Sequence, residues 1–179
     1  MSKVYIIPVG DVDKSLLTRL LPCMEERFLF NFIAVTPLPA PDSAYNLIKK
    51  KYLSSAICEK IGFVMPADAK FAMAITELDT YDNYSNFVYN HVKSEDRVGL
   101  VSLYRLNPLH SLHCVDRDSY FQRALKETTH EMGHLMGFRH CFDNNCVMYF
   151  SYSINDTDRK GTFFCYECEK KLNKMTSSS

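Results

Sequence analysis

The sequence contains no tryptophan and only six glycines. It shows neither the glycine-rich repeats of fibrous chains nor the proline- and glycine-heavy bias of disordered ones. It also lacks an excess of charge of one sign. Lysine plus arginine and aspartate plus glutamate each number 21, for zero formal charge, so no electrostatic footprint for nucleic acid or an anionic membrane surface is present. No apolar run approaches the roughly 18 residues a membrane span needs. The N-terminus enters an apolar segment at residue 4 without a basic n-region and cleavage site, so no signal peptide is expected. A cytoplasmic protein, monomeric, with no nucleic-acid or membrane partner, is the expectation, and there thiols stay reduced.

The 179 residues are 46% hydrophobic, enough for one domain with a sizeable core. Residues 4–9, 31–36 and 71–78 read as strands, and residues 86–92 and 98–106 as a hairpin about a charged turn. Residues 14–28 place Leu16, Leu17, Leu20, Leu21, Met24 and Phe28 at helical spacing, interrupted by Pro22. Residues 45–61 are mixed, with Ser54 or Ser55 as a helix cap and Gly62 as the stop. Lys49, Lys50 and Lys51 read as a solvated face. The clearest helix spans residues 119–136, with Ser119 and Gln122 fitting a capping box. Phe121, Leu125, Thr128, Met132 and Leu135 form its packing stripe, and Gly137 suits a left-handed stop.

Near its end that helix carries His130-Glu131-Met132-Gly133-His134-Leu135-Met136-Gly137-Phe138-Arg139-His140, an HExxHxxGxxH pattern. A chance match in a chain of this length has a probability on the order of one in a hundred thousand. His130 and His134 lie about 40° apart on a helical wheel, off the packing stripe. With His140 arriving after a glycine turn, three imidazoles can hold zinc and leave a fourth position open, with Glu131 beside them as general base. Such a set hydrolyses peptide bonds.

Seven cysteines are present. Cys141 and Cys146 form C-x4-C, and Cys165 and Cys168 form C-x2-C, which fits a closed four-cysteine zinc site; two disulfides are the competing reading. Cys23 reads as core. His110, His113 and Cys114 match no ligand spacing, and His91 has no assigned role.

The run from His130 to Cys168 resembles archaemetzincin, a branch of the metzincin metalloproteases: HExxHxxGxxH followed by a cysteine, then C-x4-C-x-M, then C-x2-C. The resemblance implies an α+β (α/β-type) fold: a mixed twisted sheet with an antiparallel edge strand, an active-site helix and a small zinc-stabilised C-terminal subdomain. On that basis residues 1–137 form the N-terminal subdomain, residues 138–175 the C-terminal one, and residues 176–179 a disordered tail. The resemblance implies Zn2+, two per chain. His130, His134 and His140 would bind the catalytic ion, with Glu131 as base. Cys141, Cys146, Cys165 and Cys168 would bind the structural ion. Met148 would be the Met-turn methionine under the catalytic site. The edge strand, expected at residues 86–92, would pair with an extended peptide or protein substrate. Two departures stand out. The loop between Met148 and Cys165 is one residue shorter than the family's usual spacing. Phe150 occupies a position where some metzincins carry a tyrosine near zinc, so no tyrosine ligand is assigned. The alternative is a zinc-stabilised peptide- or protein-binding module with little or no hydrolytic activity.

Overall fold

Strands with near-continuous apolar runs need cover on both faces, and this protein provides it. The computed structural model describes residues 1–110 and 117–177. Strand β1 (Lys3–Val9) leads into helix α1 (Lys14–Phe28), then β2 (Asn31–Ala34). Short strands β3 (Tyr45–Asn46) and β4 (Lys51–Leu53) precede α2 (Ser54–Val64). Next come β5 (Ala69–Thr76), a short β6 (Thr80–Tyr81), β7 (Asn90–Lys93) and β8 (Val98–Ser102). Helices α3 (Arg117–Leu135), α4 (Ile154–Arg159) and α5 (Tyr166–Ser177) complete the described chain.

The main sheet has the order β2-β1-β5-β8-β7; β3, β4 and β6 form a small second sheet. β2, β1, β5 and β8 run parallel, and β7 pairs antiparallel with β8 at the edge. Alternation along the strands sorts the core into two layers. Val4, Ile6, Phe71, Met73 and Ile75 pack with α1 and α3, including Leu20, Met24, Leu125 and Met132. Ile7, Val9, Ala72, Ala74 and Leu100 face α2 through Ile57, Cys58 and Ile61. Each large aliphatic side chain fully buried this way contributes about 1.5–3 kcal/mol.

The fold matches the expected mixed sheet, with shifts at several boundaries. The edge strand is Asn90–Lys93, shorter than residues 86–92. β8 ends at Ser102, because Tyr104–Leu106 tightens into a 3-10 turn. α1 continues through Pro22, capped by the Asp13 carboxylate accepting from Ser15 N at 2.8 Å. α2 runs past Gly62 and has no side-chain cap; Ser54 is its first residue and turns its hydroxyl to His91 instead. α3 starts at Arg117, which puts Ser119 inside the first turn rather than at a cap. Thr176 and Ser177 belong to α5 rather than to a tail. Lys51 is not a solvated lysine: its ammonium reaches Asp79 at 3.7 Å and the Asn86 carbonyl at 2.8 Å. His110 stacks on Tyr104 with ring centroids 4.0 Å apart. His113 and Cys114 lie outside the described residues.

Candidate metal centre and cleft

α3 is enclosed along most of its length. The expected stripe of Phe121, Leu125, Thr128, Met132 and Leu135 is buried, and so are His130 and Glu131. The helix stops because Gly137 takes φ +87°, a conformation that costs glycine nothing. Phe138 N then donates to Gly133 O at 3.0 Å, turning the chain so that His140 comes back over the helix end.

The turn brings the three imidazoles together. His134 Nε2 lies 2.9 Å from His130 Nε2 and 3.2 Å from His140 Nε2. Zinc–nitrogen bonds of about 2.0–2.1 Å in a tetrahedron place neighbouring nitrogens about 3.3 Å apart, so the spacing fits. The protonation pattern fits as well. His130 Nδ1 donates to Val147 O at 2.8 Å and His134 Nδ1 to Phe138 O at 2.9 Å. Each of these neutral rings carries its one proton on Nδ1, which leaves lone pairs on Nε2 facing one another. Such an arrangement is repulsive unless a cation sits among them. Burial keeps the rings neutral: it pushes His130 down to about 3 and lowers His134 and His140.

Met148 is fully buried under the helix. Gly133 makes room for it, since a Cβ there would stand 2.4 Å from Met148 Sδ. Val147, the residue before it, supplies the carbonyl that orients His130. Phe150 packs edge-on against the His140 ring, with centroids 4.6 Å apart.

The second cluster also assembles. The sulfurs of Cys141, Cys146, Cys165 and Cys168 lie within 4.8 Å of one another. Cys141 Sγ and Cys165 Sγ are 3.8 Å apart, close to the tetrahedral edge for zinc–sulfur bonds of about 2.3 Å and far beyond a disulfide of about 2.05 Å. The described cysteines are all free thiols. Burial raises the Cys146 thiol to about 11. At Cys165 burial acts the same way, but hydrogen bonds from Cys168 and the other cluster thiols outweigh it and lower the thiol. Cys58 is buried on the sheet-facing side of α2, and Cys23 packs against the main core, as expected for it.

Glu131 is 1% exposed and accepts from Leu100 N at 3.3 Å. Burial raises its carboxyl to about 8. It lines a cleft of about 530 Å³ together with the three histidines, and residues 87–92 form one wall. Ser102 N donates to Tyr89 O at 2.7 Å. In an antiparallel ladder the pairing alternates, so Asn90 and Val92 turn their backbone N–H and C=O groups away from β8.

A buried polar network next to the histidines escaped sequence reasoning. Glu127 Oε1 lies 2.9 Å from Lys160 Nζ, with both side chains almost wholly buried. It also accepts from Thr157 Oγ1 at 2.8 Å. Burial alone would raise the Glu127 carboxyl, but the Lys160 ammonium outweighs it and holds the group at about 2. Arg123 grips Asp158 through two hydrogen bonds of 2.6 and 2.7 Å, and Lys126 Nζ donates to Thr157 O and Asp158 O at 2.9 Å each. Three charged residues of α3 thereby hold α4. Nothing local in the sequence marks these charged side chains as buried.

Fold and site together define a zinc metallopeptidase of the metzincin type. The model of peptidase family M54 matches residues 32–174. The archaemetzincin of Pyrococcus furiosus is 33% identical over 94% of this chain and 91% of its own length. Among solved structures, the archaemetzincin of Archaeoglobus fulgidus is similar with a TM-score of 0.81 and 30% identity, covering 94% of this chain and 99% of that one. The archaemetzincin of Methanopyrus kandleri gives a TM-score of 0.84 at 28% identity, covering 98% and 95%. The chain belongs to peptidase family M54, the archaemetzincins. Among the described residues, no helix is long and apolar enough to cross a membrane.

Proposed function

We propose that this metallopeptidase hydrolyses peptide bonds with Glu131 as general base, two zinc ions per chain, and an extended substrate lying along β7. The observation that carries this reading is the convergence of three imidazole Nε2 atoms at 2.9 and 3.2 Å beside a buried glutamate in an open cleft. His130, His134 and His140 would hold the catalytic zinc. Zinc there would supply Lewis acidity, polarising a carbonyl and lowering the pKa of a water towards about 7. Glu131 then takes a proton from the attacking water and passes it to the leaving amine. Its bond to Leu100 N is long, so the carboxylate is free to turn towards the cleft. The outward backbone groups of Asn90 and Val92 pair with the substrate backbone, which orients it without reading its side chains. Met148 provides an apolar floor.

Cys141, Cys146, Cys165 and Cys168 would hold the second, structural ion, which stabilises the fold and takes no part in the chemistry. Residues 1–137 and 138–175 act as two subdomains meeting at the cleft. Reduced thiols suit a cytoplasmic setting, and both ligand sets come from one chain, which suits a monomer.

The test combines metal counting with product mapping. Wild type should carry two zinc ions and His134→Ala one. Wild type should also release new amino termini from a mixed peptide library, and Glu131→Ala should release none while keeping both ions. Equal inactivity of wild type and Glu131→Ala with zinc retained would mean a binding module instead. Two ions retained by His134→Ala would rule out the three-histidine site.

A further inference from the structure

Glu127 precedes His130 and Glu131 by three and four residues, so it lies on the same side of α3, one turn further into the cleft. Its carboxylate joins the two walls. Asn90 Nδ2 of the edge strand donates to Oε2 at 2.8 Å. Across the cleft, Ser151 Oγ lies 3.4 Å from Oε1, which also takes Thr157 and Lys160. Oε1 is therefore saturated, whereas Oε2 has one donor and room for another. Asn90 Oδ1 is buried and has no hydrogen-bond partner among the described residues. Flipping that amide would set Oδ1 against the carboxylate, so the hydrogen bond to Glu127 fixes its orientation. Asn90, Glu127 and Ser151 all line the cleft. Its inner end thus offers two acceptors that lack donors.

The charge there is already balanced. Lys160 Nζ sits 2.9 Å from Glu127. An arginine or lysine side chain arriving at this end would find the Glu127 charge already neutralised by that buried ammonium. An aspartate or glutamate would set a second carboxylate against Glu127 Oε2 and the unpaired Asn90 amide oxygen. A methionine or phenylalanine would bring no donor and leave the buried Asn90 oxygen unpaired, so it would forgo the hydrogen bond that a donor-bearing side chain gains.

We propose that this end of the cleft is a side-chain pocket beside the scissile bond, selecting a neutral residue that ends in a hydrogen-bond donor, such as glutamine or tyrosine. The proposal rests on the peptidase reading above and adds the substrate class. Asn90 and Glu127 are its specificity-determining residues.

The test uses peptide hydroxamates that differ only in the side chain next to the chelating group, with binding to the zinc-loaded chain measured by calorimetry. Glutamine should bind about 10-fold more tightly than methionine, and tyrosine about 10-fold more tightly than phenylalanine. The arginine and glutamate compounds should bind more weakly than glutamine. In Asn90→Leu, with zinc content unchanged, both ratios should fall towards one. Wild-type ratios near one would overturn the pocket without reference to any variant, as would ratios that survive Asn90→Leu, or arginine as the preferred residue. Matching peptides run beside the hydroxamates separate the two readings. The expected binding order with no peptide cleaved would sink the peptidase reading alone. Cleavage with no side-chain preference would sink the pocket alone.

Discussion

Glu127→Ala leaves the Lys160 ammonium buried without its anion, and the structure sets the size of that effect. The two side chains are 0% and 2% exposed and their charged atoms 2.9 Å apart. Removing one partner of a buried pair typically costs about 3–5 kcal/mol. A second route agrees. The Glu127 carboxyl falls from 4.5 to about 2 on folding, worth about 3 kcal/mol at neutral pH. Because the folded value is depressed, this stabilisation is complete well above pH 4.5 and is lost as pH falls through 2. By pH 4 about 1 kcal/mol of it should be gone. Urea midpoints of the zinc-loaded chain would measure the cost for Glu127→Ala, Lys160→Met and the double variant Glu127→Ala/Lys160→Met. Each single change should cost about 3 kcal/mol or more at pH 7. The double change should cost much less than their sum, because an apolar pair leaves no stranded charge. A single-variant cost below about 1 kcal/mol, or additive costs, would refute the argument that this pair is held as two charges.

Three further outcomes follow from close contacts. Gly133→Ala pushes a methyl into Met148 Sδ at 2.4 Å and should cost about 1–3 kcal/mol, read as a lower melting temperature; a wild-type melt would mean that Met148 does not bear on the helix. Gly99→Ala places a Cβ 3.0 Å from the Glu131 side chain; kcat should fall by about 10- to 100-fold through misplacement of the carboxylate while zinc content holds, and unchanged kcat would detach Glu131 from the chemistry. Cys141→Ser should remove one zinc ion and hasten loss of the other to a chelator, which a timed chelation assay would show; full stoichiometry would exclude the four-cysteine site.

How much was legible depended on whether the signal was local. The HExxHxxGxxH run reads directly because helical periodicity and a glycine stop operate within a few residues, and the imidazoles indeed converge. The two close cysteine pairs, Cys141 with Cys146 and Cys165 with Cys168, were likewise legible from spacing, and their four sulfurs come together. α1 was found to the residue from its apolar spacing alone, and the structure adds the Asp13 cap that fixes its start. The edge strand came out too long. Residues 86–89 are as rich in aromatics as a strand, yet Val88 N donates to Thr80 O outside the main ladder. Ser119 looked like a cap because Gln122 follows at capping-box spacing, but α3 already includes Arg117 and Asp118. The Arg123, Lys126 and Glu127 network was illegible for a deeper reason. A charged residue on a helix is ordinarily solvated, and only the return of residues 151–160 across α3 buries these three. That return is a tertiary event with no local signature.

His140 and Cys141 share one peptide bond, and Cys141 N donates to Met148 O at 2.9 Å. The two ligand clusters are thus neighbouring positions on one short, braced stretch of backbone. A cation that fixes Cys141 removes most of the freedom His140 would otherwise lose on binding its own ion. The gain is reciprocal, as any coupling free energy must be. Occupancy of the two clusters should then rise together over a narrower range of metal concentration than either alone would show. An ion that never meets substrate would in this way help decide when the chain becomes able to cut.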